Sequence, residues 1–214
     1  MNFWQHRRPV RRSRLVDVAS IGEHAVPLLD EGGLAALTVR GLAQRMGVAP
    51  ASLYSRVTSV EDIFDIALDT ALGSDDDLVA QLAGSSIQEL MLTFYRHLVA
   101  HPWAPRVIGK RAPRGPNFLR LSERMVVLLA EQDALNPLAV AYTLSNFVIG
   151  SATTAPMVHS ERASDIDPDL APRYADLHAR QDLDAEANLQ AGLRALIEQF
   201  RTAPPGPAHP PSRP

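Results

Sequence analysis

At 214 residues the chain is long enough for one large domain or two small ones sharing an interface, and no run approaches the roughly 20 apolar residues that span a bilayer. It contains no cysteine, which excludes disulfides, thiolate catalysis and cysteine zinc sites. The net charge of −3 hides an asymmetry: through Val57 eight arginines face four acids, a net of +4, whereas from Thr58 onward thirteen bases face twenty acids, a net of −7. A basic end on an acidic body suits a protein that turns one end toward a phosphate surface.

Residues 1–16 read as a flexible basic arm, with Arg7, Arg8, Arg11, Arg12 and Arg14 clustered around Pro9. No apolar core follows these arginines, so they are not read as a secretion signal, and a cytoplasmic location is expected. A helix is predicted from Val18 to Asp30, capped by Asp17 or Ser20, with Pro27 expected to bend or loosen it. Thr38–Val57, TVRGLAQRMGVAPASLYSRV, reads as two short helices about a glycine turn. Thr38 can cap the first helix, and Val39, Leu42, Ala43 and Met46 share its inward face. Gly47 supplies the turn, and Val48 and Leu53 fill the angle between the helices. This is a helix-turn-helix, which leaves the second helix free to enter a DNA major groove.

Ser59, with Asp62 at capping-box spacing, opens a helix to Leu72, and a polar break is expected at 73–77. Ser86 and Glu89 form a second box before a helix over 87–100. Four prolines make 102–116 irregular, with one short helix among them. Helices follow at 117–131 and, from the Asn136–Pro137 start, at 136–159. The segment 160–181 holds one short helix, and an amphipathic helix spans 185–201. The tail from 203 is proline-rich and expected to be disordered. No strand pattern is visible, so the chain reads as all-α: a three-helix head over 17–72 and a larger helical body over 73–202.

The segment from Val18 to Leu72 resembles the DNA-binding domain of the tetracycline-repressor (TetR) family. The resemblance rests on LLDEGGLAALTVRGLAQRMGV, on the Leu53–Tyr54 pair and on SVEDIFDIAL. HPWAPRVIGKRAPRGPNFLRLSE and AYTLSNFVIGSA resemble the family's regulatory domain. The resemblance implies a homodimer on a palindromic double-stranded operator, most simply a repressor released by a small-molecule effector. It assigns phosphate contacts to Thr38 and Tyr54 and a base contact to Arg40. On the second helix Pro50, Ala51, Ser52, Ser55 and Arg56 are the exposed candidates, with Arg56 the leading candidate for specificity, suited equally to a base edge or to a phosphate. Ala49 and Val60 depart from the cap-type residue and the lysine that the family often carries there.

For the body, the resemblance places a dimer interface on the helices from Asn136 and Ala185, with Leu189, Leu193, Leu196, Ile197 and Phe200 as candidates. Phe94, His97, Trp103, Val107, Met125 and Phe147 are candidates for a pocket suited to an apolar or aromatic effector. The family's magnesium-binding histidine falls near Val107, so metal-bound tetracycline is not expected. His97 and His101 have the spacing of a two-histidine metal edge, but no third ligand follows nearby, and no cofactor or metal is expected. No glycine-rich phosphate loop, nucleophile elbow or carboxylate cluster supports an enzyme. An activator, or a regulator without an effector, remains compatible with the residues, as more remotely does an interaction module.

Overall fold

The computed structural model describes residues 2–6, 16–162, 164–181 and 183–202, and within them every regular element is a helix. The expected arginine cluster and proline-rich tail lie outside the described residues. The head comprises α2 (Val18–Ala36), α3 (Val39–Arg45) and α4 (Pro50–Tyr54), preceded by a short α1 (Phe3–His6). α5 (Val60–Ser74), which falls almost wholly within the expected 17–72 head, joins it to the body, which runs through α6 (Asp76–Ala83), α7 (Ile87–Ala100), α8 (Ala104–Lys110) and α9 (Pro116–Glu131). It continues with α10 (Pro137–Thr154), α11 (Met157–Arg162), α12 (Pro172–Arg180) and α13 (Ala185–Thr202).

Local signals explain most of these boundaries. Asp17 accepts from the Ser20 amide at 2.7 Å and starts α2. Pro27 lies within α2 without breaking it. The non-helical residue is instead Gly33, at φ 65°, so the expected bend moves six residues on. The Ser86–Glu89 box closes in both directions, at 3.2 and 2.8 Å. Asn136 accepts from the Ala139 amide at 3.2 Å and Pro137 occupies the first turn of α10. At α5 the box differs from expectation: Asp62 accepts from the amide and hydroxyl of Thr58, at 2.8 and 2.7 Å, rather than from Ser59.

Three segments depart from the sequence reading. The polar stretch 73–77 is not a break but a helix junction. Asp75 accepts from the Leu78 amide at 2.9 Å, and Asp76 and Asp77 fill the first turn of α6, where carboxylates favour a helix N-terminus. The helix expected over 136–159 ends at Thr154 and restarts as α11, because Pro156 has no amide hydrogen to continue it. The start of the expected flexible arm is also ordered. Phe3 is buried, its amide donates to Asp65 Oδ2 at 2.9 Å, and Asn2 Nδ2 donates to the Ala112 carbonyl at 3.3 Å.

α5 organises the molecule. One face buries Ile63, Ile66, Ala67 and Leu68. The other presents three buried carboxylates at helical steps, Asp62, Asp65 and Asp69. Asp65 holds α1 and Arg111, while Asp69 accepts from the Asn117 and Phe118 amides at 2.8 and 3.1 Å, at the start of α9. Burial pushes the Asp65 and Asp69 carboxyls above the usual range, against the pull of these donors. α2 crosses α5 at close range: a Cβ on Gly22 would stand 1.9 Å from Thr70 Oγ1. Gly22 is thus explained by contact and not by flexibility.

Candidate nucleic-acid interface and body cavities

Two short helices can hold an exposed face only if a few apolar groups fix them firmly. Leu42, Ala43 and Leu53 are wholly enclosed, and burying each leucine contributes about 1.5–3 kcal/mol. Ala43 admits the close crossing of α3 and α4, and Gly47, at φ 66°, makes the left-handed turn between them. Thr38 Oγ1 accepts from the Gly41 amide at 3.0 Å and caps α3. Ala49 gives α4 no side-chain cap, and Pro50 takes its first turn instead.

This packing turns the candidate contact residues outward. Thr38, Arg40, Pro50, Ala51, Tyr54 and Ser55 are exposed, with Tyr54 at 59% the most accessible large apolar side chain in the head. Ser52 and Arg56 are half-buried. Ser55 donates to the Ser52 carbonyl at 2.6 Å, which leaves its oxygen as an outward acceptor. Arg56 Nε is enclosed without a hydrogen-bond partner among the described residues. Arg45 on α3 is engaged at 3.3 Å by Glu31 of α2.

In the body, Phe94, His97, Trp103, Val107 and Met125 are buried and Phe147 is half-buried against the core. Their hydrogen bonds explain two of them structurally. Trp103 Nε1 donates to Asp30 Oδ1 at 2.6 Å, and His101 Nδ1 meets the same oxygen at 2.7 Å. His97 Nδ1 lies 2.8 Å from Asp75 Oδ2, and its ring stands 4.8 Å from that of His101. Burial lowers the His97 pKa, opposed by the Asp75 hydrogen bond. Among the described residues no group of three or more metal-ligating side chains converges.

Two open cavities lie elsewhere. One of about 680 Å³ opens between the C-terminal half of α7, the α10–α11 junction and the start of α13. Another of about 420 Å³ lies between α2 and α5 beside His101. None of the six candidate pocket residues lines either. Leu189 and Leu193, expected at a dimer interface, are enclosed within the protomer, where α13 packs on α7 and α10. They form core because they lie on the inward face of α13, whereas Leu196, Ile197 and Phe200 are half-buried. Sequence reading missed Asp30, Asp65, Asp69 and the α7–α13 cavity. The 62, 65, 69 spacing of carboxylates beside the apolar face of α5 was the available signal.

Residues 85–198 match the family model described as the tetracyclin repressor-like, C-terminal domain. The chain belongs to the tetracycline-repressor family. It is 34% identical over 155 residues to an HTH-type transcriptional regulator of Saccharopolyspora erythraea, covering 68% of this chain but only 65%, just under two thirds, of that protein. It is 26% identical over 197 residues to the class E tetracycline repressor protein of Escherichia coli, covering 88% of this chain and 91% of that one. The fold matches that of the TetR family protein ActR of Streptomyces coelicolor in complex with actinorhodin, with a TM-score of 0.67 at 24% identity, covering 86% and 96% of the two chains. TetR-family proteins are transcriptional regulators and not enzymes, and the match spans the body as well as the fold of the head. Among the described residues no helix is long and apolar enough to cross a membrane.

Proposed function

We propose that this protein is a homodimeric, sequence-specific regulator that binds a palindromic double-stranded operator in the cytoplasm and is released from it by a small apolar or aromatic effector. The observation that carries the reading is the division of α4: Leu53 is buried while Pro50, Ala51, Tyr54 and Ser55 face outward. Tyr54 and Thr38 suit phosphates, which position the head, and Arg40 and Arg56 suit base edges, which specify sequence. The basic balance through Val57 supports the same orientation on DNA.

A dimer brings two heads about 34–36 Å apart, one turn of duplex, which a single head cannot exploit. The exposed Leu138 and Tyr142 on α10, continued by Leu196, Ile197 and Phe200 on α13, support an interface on these two helices. An effector in the body would act by favouring a head spacing that no longer fits two half-sites. The names of the tetracycline repressor and of the actinorhodin-bound ActR support an effector of this general kind.

Fluorescence anisotropy against the upstream intergenic duplex and a scrambled duplex, at several salt concentrations, tests the reading. The expected result is tighter binding to the native duplex, two protomers per site, and loss of the preference in Arg56→Ala. Equal affinity for both duplexes across all upstream fragments would overturn it.

A further inference from the structure

The α7–α13 cavity has the size of a small-molecule site, since drug-sized pockets span about 300–1,000 Å³. Val99, Ala100, Pro156, Val158 and Leu183 give it a mostly apolar wall. Its polar lining among the described residues is Tyr95, Arg96, Asp184 and Glu186. Tyr95 is 4% exposed, yet it lines the cavity and its hydroxyl has no hydrogen-bond partner among the described residues. Burial, then Glu186 and Asp184, push the Tyr95 pKa up, so its hydroxyl stays protonated and neutral.

The charges of that lining do not cancel. Arg96 and Glu186 neutralise each other through a forked pair, with Nε 3.0 Å from Oε2. Asp184 remains. It caps α13 through Oδ1, which accepts from the Ala187 amide at 3.0 Å, and so answers the positive end of that helix. Its second oxygen has no partner among the described residues, and Asp184 lines the same cavity as Tyr95 from its exposed rim. An anion here would face two carboxylates, whereas a cation finds Asp184 Oδ2 and the lone pairs of Tyr95.

We infer that this cavity is a binding site for an apolar organic cation, its body against Val99, Pro156 and Leu183 and its positive charge toward Tyr95 and Asp184. As an effector site this rests on the regulator reading above, and it locates and types the ligand that reading leaves open. α7 ends in His101, which shares Asp30 with Trp103, so a ligand wedged against Val99 and Ala100 presses on the helix that touches the head.

Fluorescence titration of the free full-length protein with rhodamine 6G, a cationic dye, and with fluorescein, its anionic counterpart, tests the site. Saturable rhodamine binding at one dye per chain is expected, about tenfold or more tighter than fluorescein. Asp184→Asn keeps the helix cap and should weaken rhodamine about three- to tenfold; Tyr95→Phe should do likewise. Val99→Trp fills the cavity from a side chain that is 40% exposed, and should abolish binding while circular dichroism stays unchanged. Equal affinity for the two dyes, or rhodamine binding indifferent to both Asp184→Asn and Val99→Trp, would overturn the proposal. Operator release is read separately. Rhodamine bound in the cavity without release of DNA would leave the site standing and overturn only its effector role.

Discussion

In the head, Arg40, Tyr54 and Ser55 stand outside a small core of Leu42, Ala43 and Leu53; in the body, the aromatic side chains that looked available to a ligand, Phe94 and Trp103, are themselves core. The contrast follows from helix length. α3 and α4 have 7 and 5 residues, so each can bury only one or two positions and the rest are committed to the surface. α7, α9 and α10 have 14, 16 and 18 residues and are covered on more than one side by neighbours, so apolar character there does not distinguish lining from packing. The candidate contacts of the head are thus written in exposure, and candidate ligand space in the body in what the packing leaves empty.

That contrast can be broken most severely at Gly22. Gly22→Val drives a side chain into Thr70 and should cost about 3 kcal/mol of stability, read as a lowered urea midpoint, with partial recovery when Thr70→Ala is added. If the head instead tolerates valine, the close crossing of α2 and α5 is not what seats it. Arg40→Ala and Arg56→Ala should each weaken operator binding by about tenfold or more, leaving thermal unfolding unchanged. Asp69→Ala sharpens the body side of the comparison. It frees the amides of Asn117 and Phe118 and should destabilise by about 1–2 kcal/mol, with no change in the intrinsic DNA preference.

The smallest expected effect is a pH dependence at His97. Burial holds its folded pKa below the unfolded value, so the folded chain keeps it neutral while the unfolded chain takes up a proton below about pH 6.5. Its contribution is therefore present above that pH and lost as pH falls from there through the lowered folded pKa. The denaturation midpoint of wild type should drop between pH 7.5 and 5.5 by more than that of His97→Asn. Parallel curves would remove His97 from the account.

The head was legible because its signals are local and ordered: the Thr38 cap, the Gly47 turn and the Leu53 plug each act within a few residues. The capping box at Ser86 and the Asn136 start were legible for the same reason. α6 was hidden because Asp75–Asp77 look like a solvated break unless read as a cap followed by an acidic first turn. Leu189 and Leu193 were read as interface and lie in the core, since both demand the same apolar spacing and only the placement of α7 and α10 decides. Asp65, Asp69 and Asp30 find their partners 46–73 residues away, beyond any local pattern.

The Asp30 carboxylate has one more consequence. α5 joins head to body as an axle, packed closely against α2 where Gly22 meets Thr70. Asp30 lies near the far end of α2 and is gripped by His101 and Trp103, which adds a second point of attachment away from that axle. Two separated attachments convert a pivot into a linkage. The head can swing only by dropping both bonds or by carrying the end of α7 along, so in the proposed dimer the spacing of the two heads would follow the position of α7.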